Sequence, residues 1–199
     1  MNTEQISYSS LATANSDVLR QILLDLIVKY AYVAGDFVLS SGAKSSYYIN
    51  CKQVTLRAEG ALALGRLLFK LLPDDTEAVA GLTLGADPLV SAVSVVSAYE
   101  NNSIPALIIR KKPKGHGTKA YIEGPSLAQG AKIVVLEDVV TTGGSALTAV
   151  ERLQDAGYQV TQILSLVDRE QGGSELYQSK GIKFQALFPI KEIQQQYST

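Results

Sequence analysis

Cysteine, histidine and methionine occur once each in these 199 residues, and tryptophan not at all. With Cys51 alone no disulfide can close within the chain, and no His/Cys cluster suggests a zinc, iron or copper centre. Charge of one sign is not in excess either. Eighteen Lys and Arg stand against 19 Asp and Glu, a formal net charge of −1, so nothing global advertises nucleic acid or a membrane surface and any basic site has to be local. Long apolar runs are missing. The most apolar helical window, PLVSAVSVVSAY, is interrupted by serines and falls far short of the ~20 residues needed to cross a bilayer. The polar start MNTEQISYSSLATANSD carries no signal-peptide apolar core, and together with the lone thiol it leads us to expect a reducing cytoplasm.

What is there reads as an ordinary globule, 46% apolar and 19% charged, of a length that suits one domain. The segment DVLRQILLDLIVKYAYV has apolar residues at Leu19, Ile22, Leu23, Leu26, Ile27 and Tyr30, a helical period, with Asn15 or Ser16 available as N-cap. Two short strand-like runs follow, DFVLSS and SYYINC, split by Gly42; then AEGALALGRLLFKLL reads as a second helix ended by Pro73. Beyond it the pattern changes. AVAGL, PALIIR, KIVVLED and VTQILSLVD are near-continuous apolar runs of strand length, and helical segments lie between most of them. Strands apolar on both faces and alternating with helices imply a doubly wound, mostly parallel α/β sheet. We expect a single domain, with residues 1–55 as a small N-terminal hood and residues 56–199 as the core.

In such a sheet ligands bind beyond the carboxyl ends of the strands. The stretch VVLEDVVTTGGSA falls there: KIVVL delivers Glu137 and Asp138 to that edge, and TTGGS leads into the next helix. Small residues let the N–H groups of Thr141, Thr142, Gly143, Gly144 and Ser145 converge at a helix N-terminus, where the dipole and three hydroxyls favour a phosphate. A carboxylate beside a phosphate is repulsive unless it holds sugar hydroxyls or a metal ion. Taken alone, Thr-Gly-Gly-Ser is equally compatible with a plain capped turn. There is no G-x-x-x-x-G-K-[ST], and GHGTKA, the one G-x-G-x-x-A match, follows lysines rather than a strand.

The thirteen-residue stretch resembles the phosphoribosyl pyrophosphate (PRPP) signature of the type I phosphoribosyltransferases: an apolar run, two acids, two apolar residues, then Thr and small residues. The resemblance implies that Glu137 and Asp138 bind the ribose 2′- and 3′-hydroxyls of PRPP and that Thr141 to Ser145 hold its 5′-phosphate.

A second stretch, RKKPKGHGT, gathers four cations and the only histidine within seven residues. By itself such a run is most often a solvated hairpin loop. It closely resembles the catalytic loop of the family's orotate-using members. There Arg110, Lys111, Lys114 and His116 would neutralise the departing pyrophosphate, with Lys114 and His116 swinging in as a lid across a homodimer interface and Gly115 and Gly117 as hinges. FVLSSGAKSSYYIN resembles the orotate-side segment, with Tyr47 and Tyr48 lining the pyrimidine ring, although two tyrosines on a strand are as often core. In LVDREQGG, Arg169 matches the family's orotate-binding arginine, where its planar fork would take the carboxylate; a lone Arg-Glu after a strand is otherwise a surface pair.

The resemblance runs over nearly the whole chain, with GLTLGADPL, residues 81–89, in the place of the pyrophosphate loop. It implies transfer of the phosphoribosyl group to N1 of orotate, giving orotidine 5′-monophosphate in UMP biosynthesis. Mg²⁺ would be the cofactor, held mainly by PRPP, with no direct protein ligand. Some members carry a lysine where this chain has Ser40, others one within residues 81–89, and here both are missing. A purine- or uracil-using enzyme would share the Glu137–Ser145 motif without needing the Arg110–His116 run or Arg169. A PRPP-sensing regulator that binds nucleic acid would call for a basic stripe that the net charge does not support.

Overall fold

The computed structural model of the chain describes residues 8–38, 42, 44–114 and 121–198. Two helices, α1 (Tyr8–Thr13) and α2 (Ser16–Leu26), lead through a π-helical turn, Ile27–Ala31, into an antiparallel hairpin of β1 (Tyr32–Val38) and β2 (Lys44–Ile49). Of the two cap candidates Asn15 is the one used: its Oδ1 accepts from the Val18 N–H at 3.0 Å. Then come α3 (Lys52–Thr55), α4 (Ala58–Leu71), β3 (Ala78–Leu82), α5 (Asp87–Tyr99), β4 (Ala106–Ile109) and β5 (Ile122–Glu123). The chain continues as β6 (Lys132–Val140), α6 (Gly144–Asp155), β7 (Gln159–Asp168), α7 (Gly173–Ser179), β8 (Lys183–Pro189) and α8 (Ile190–Tyr197).

The apolar runs form a sheet in the order β5-β4-β3-β6-β7-β8, parallel throughout except for β5 against β4. Because both faces are covered, successive side chains of one strand enter different cores. On β6, Ile133 and Val135 pack with Ala149 and Val150 of α6, whereas Val134 and Leu136 join Leu23 of α2, Leu64 of α4 and Val93 of α5. This is the doubly wound α/β sheet that the runs imply. The two edge strands, β5 and β8, lie outside the apolar runs, and β8 is the longer. It pairs on one side only and alternates exposed with half-buried positions over Lys183–Ala186, so it needs no continuous apolar run.

Two half-buried arginines tie the first segment to the core. Arg66 donates to the carbonyls of Leu11 and Ala14, both at 2.9 Å. Arg20 reaches both carboxylate oxygens of Glu192 and the Leu187 carbonyl, with its guanidinium 4.6 Å from the centre of the Phe188 ring.

The strand order reverses between β3 and β6. From β3 the chain builds outward to β4 and β5, then returns to lay β6 on the other side of β3 and builds outward again. Loops leaving the carboxyl ends of β3 and β6 therefore diverge, and the crevice between them is where such a sheet receives a ligand.

Candidate active site

β6 does not stop before the acids; it carries them inside its last four residues and ends at Val140. The turn that follows is built on Gly143, at φ 88°, which is the N-cap of α6. A Cβ there would stand 2.9 Å from the ring of Tyr177, so glycine is required both by the left-handed backbone and by the close approach. Tyr177, fully buried on α7, donates its hydroxyl to the Gly143 carbonyl at 3.1 Å. Burial pushes its phenol well above the usual range, and the charges of Glu137 and Asp168 add to the shift, so the hydroxyl remains a donor at any physiological pH. The result is a cavity of about 220 Å³ lined by residues 139–146, with Glu137 and Tyr177 closing its sides. Backbone N–H groups at the start of a helix and the hydroxyls of Thr141, Thr142 and Ser145 suit it to a phosphate.

Glu137 and Asp138 have different neighbours. Glu137 is 6% exposed and belongs to the cavity; its Oε1 accepts from the Asp138 N–H at 3.2 Å, while its Oε2 is buried with no partner among the described residues. Burial raises the Glu137 carboxyl well above the ordinary range, the Asp138 charge raises it further, and Lys111 partly offsets both. A buried acceptor with nothing to accept is costly unless a ligand supplies the donor, and a sugar hydroxyl does so. Asp138 lies beside the Glu137 carboxyl and also reaches other elements. Its Oδ1 accepts from the Val139 N–H at 3.0 Å and its Oδ2 lies 3.8 Å from Nζ of Lys52. A methyl group on Gly85, in the loop after β3, would collide with this carboxylate, so residues 81–89 pass directly over Asp138.

The cationic run leaves β4 and rests on an acid that our reading did not include. Arg110 Nη1 donates to Oε1 of Glu123 at 3.0 Å, and Lys114 Nζ lies 3.5 Å from the same oxygen. Those two cations hold the Glu123 carboxyl below its usual range, Arg110 contributing most. Arg152 of α6 supports the run from beneath by donating to the carbonyls of Arg110 and Lys111, with its guanidinium 4.1 Å from the Tyr121 ring centre. Lys114 is exposed. His116, Gly115 and Gly117 lie outside the described residues, as does Ser40.

On the base side the expected tyrosine pair separates, because neighbours on a strand point to opposite faces. Tyr47 is buried, and its hydroxyl accepts from Nε of Arg169 at 2.8 Å. Tyr48 is 46% exposed and packs beside Phe37, with ring centroids 5.7 Å apart. The two therefore do not line one ring together; Ser45, two positions before Tyr47, takes the second place, its Oγ accepting from Arg169 Nη2 at 3.2 Å. Arg169 is 8% exposed, with its guanidinium 4.7 Å from the Tyr47 ring centre, and its backbone N–H donates to the Val140 carbonyl at 2.8 Å. That last bond fastens the arginine to the end of the strand that carries the acids. No solvated surface pair has these partners.

No protein-family model matches the chain. Among curated proteins it is 67% identical over 198 residues to the orotate phosphoribosyltransferase of Nostoc sp., covering 98% of this chain and 96% of that one. The Aquifex aeolicus enzyme of the same name is 43% identical over 178 residues, covering 87% of this chain and 97% of that one. Among solved structures, Mycobacterium tuberculosis orotate phosphoribosyltransferase superposes with a TM-score of 0.78 at 36% identity, covering 88% of this chain and 98% of that chain. A crystal structure of the same mycobacterial enzyme in complex with PRPP gives a TM-score of 0.74 at 34% identity, with the same coverage. An adenine phosphoribosyltransferase from Leishmania donovani, 18% identical with a TM-score of 0.65, shares the fold.

Proposed function

This chain belongs to the orotate phosphoribosyltransferase family, and from that premise we propose that Glu137 and Asp138 hold the ribose of PRPP, that the Thr141–Ser145 cup holds its 5′-phosphate, and that Arg110, Lys111, Lys114 and His116 neutralise the pyrophosphate as it departs. The reaction is transfer of the phosphoribosyl group from PRPP to orotate, giving orotidine 5′-monophosphate and pyrophosphate in pyrimidine biosynthesis. The observation that carries the assignment of residues is that Glu137, buried with its Oε2 unpartnered among the described residues, lines the same cavity as the Thr141–Ser145 cup, since a polyol phosphate is a ligand that engages both an acid and a phosphate cup.

The bond from ribose C1′ to the pyrophosphate oxygen breaks ahead of attack, and its electron pair leaves on pyrophosphate. Orotate N1, deprotonated, then closes on the oxocarbenium-like carbon from the opposite face and inverts it. A weak base suffices for N1, so catalysis rests on positioning and on stabilising the charge that develops on the leaving group. Arg110 and Lys114 are poised for the second task. They share one exposed carboxylate, Glu123, an arrangement that a polyanion can displace at small cost. Arg169 takes the orotate carboxylate through its fork, with Tyr47 and Ser45 orienting the guanidinium. Closure of the Arg110–Lys114 run over the site keeps out water, a competing nucleophile.

Mg²⁺ suits the same crevice: it takes hard oxygen ligands and keeps its waters, PRPP would supply most of its shell, and the carboxylates of Glu137 and Asp138 stand nearby on the ribose side. Bound there, it would neutralise charge on the leaving pyrophosphate. Among the described residues no group of three His, Cys, Asp or Glu side chains is arranged to hold a metal. A homodimer has support in an uncovered apolar groove of about 540 Å³ between α3–α4 and α5, where Leu56 is 70% and Val95 is 59% exposed. The groove takes in Thr55, the last residue of α3, so a second copy seated in it borders the active-site mouth. Among the described residues no helix is long and apolar enough to cross a membrane. The fully buried thiol of Cys51 suits a reducing cytoplasm.

The test is direct: incubate the purified protein with PRPP, Mg²⁺ and orotate, uracil, adenine or hypoxanthine in turn, and follow loss of base. Orotate alone is expected to be consumed. PRPP binding without turnover of any base would sink the transferase assignment.

A further inference from the structure

Some relatives carry a lysine where this chain has Ser40 and others one within residues 81–89, and this chain has neither. The fixed positive charge facing the leaving group is therefore short. We propose that Lys52 supplies it, binding the pyrophosphate of PRPP and neutralising it as it departs; the proposal rests on the reading of this crevice as the PRPP site.

Three elements that are distant in the chain bring Lys52 to the right place. It opens α3 immediately after the hairpin, its ammonium lies 3.8 Å from Asp138 Oδ2, and the loop after β3 crosses the same carboxylate at Gly85. The ammonium thus stands where the sugar-binding acid meets the loop in the pyrophosphate position. Among the described residues it is the only Lys or Arg within 4.0 Å of either acid. A separation of 3.8 Å is an ion pair but too long for a hydrogen bond, so the three N–H donors of the ammonium are not committed to Asp138. The side chain is 39% exposed against 14% for its partner, which leaves the cation open to the crevice while the acid is enclosed. When ribose hydroxyls take over the Asp138 oxygens, the ammonium is left beside the C1′ substituent. It then faces an anion whose charge grows along the reaction coordinate. This cation is held on a short helix, not on the Arg110–Lys114 run, so it is present before any loop closes.

A merely structural lysine would neutralise Asp138 and do nothing else, and ligand choice separates the two roles. Inorganic pyrophosphate and PRPP both carry the group that Lys52 would bind; ribose 5-phosphate engages the cup and the acids but lacks it. For Lys52→Gln we expect Kd for pyrophosphate and PRPP to rise roughly 10- to 100-fold, the loss typical of one charge-assisted contact, with ribose 5-phosphate changed less than about twofold. Lys52→Arg, which keeps the charge, should recover most of the loss and shows that the fold tolerates change at this position. Unchanged pyrophosphate binding in Lys52→Gln would overturn the proposal, and so would equal weakening of ribose 5-phosphate and PRPP. Orotate turnover by the unaltered enzyme is measured alongside. Its absence would sink the PRPP-site reading, whereas the pyrophosphate comparison decides Lys52 by itself.

Discussion

Glu137 shows what a functional residue costs at its own scale. Its folded-state carboxyl titrates above the unfolded value because burial penalises the anion. Between the unfolded range near 4.3 and the raised folded value the native state binds more protons, so stability falls as pH rises through that window. Glu137→Gln removes the titration. It should melt at a higher temperature than the unaltered protein at pH 8 and at nearly the same temperature at pH 4, while losing orotate turnover. A melting difference that stays constant from pH 4 to pH 8 would show that charge is not the cause. Lys114 is the opposite kind of residue, exposed and paired among the described residues with Glu123 alone, so its removal should leave the fold untouched. For Lys114→Ala we expect kcat to fall by about 10²-fold, the usual scale for one transition-state charge contact, with the Kd for PRPP little changed. Equal activity in steady-state assays would remove the lid role.

At the scale of elements, the phosphate cup is the joint between β6 and α6, and its shape depends on a third element. Tyr177 of α7 holds the Gly143 carbonyl and fills the space where a side chain would stand. Gly143→Ala places a β-carbon in a left-handed backbone, at about 1–2 kcal/mol, and against the Tyr177 ring. We expect a lower melting temperature and a PRPP Kd raised at least tenfold, with the orotate site unaffected in a direct orotate titration; unchanged PRPP affinity would mean the cup does not hold the phosphate. The cup's composition was legible in the sequence because Glu137 to Ser145 are contiguous, so one local stretch carries acids, turn and helix start together. Its support was not. Nothing in GSELYQS, read locally, points at a turn more than thirty residues earlier.

For the whole molecule, the apolar groove along α4 and α5 gives a prediction about assembly. If a second copy covers it, Val95→Asp buries a charge in the contact and should shift the mass measured by light scattering from dimer to monomer. An unaltered protein that is already monomeric at micromolar concentration would dismiss the dimer, and with it any residue supplied from a partner. The doubly wound sheet itself was readable from length and pattern, since strands covered on both faces must be apolar at nearly every position. The half-exposed edge strand β8 was not, because it shares its burial pattern with ordinary loops.

The sequence by itself determined the sheet class, the acid pair, the phosphate turn and the cationic run, each a local pattern in which neighbours in the chain do one job. Only the tertiary structure decided which side chains meet from a distance. Arg169 finds Tyr47 and Ser45 across 122 and 124 positions, Lys52 meets Asp138, and Tyr48 turns away from Tyr47. Such meetings follow from strand order and from the alternation of faces along a strand, which bring together residues that no local periodicity links.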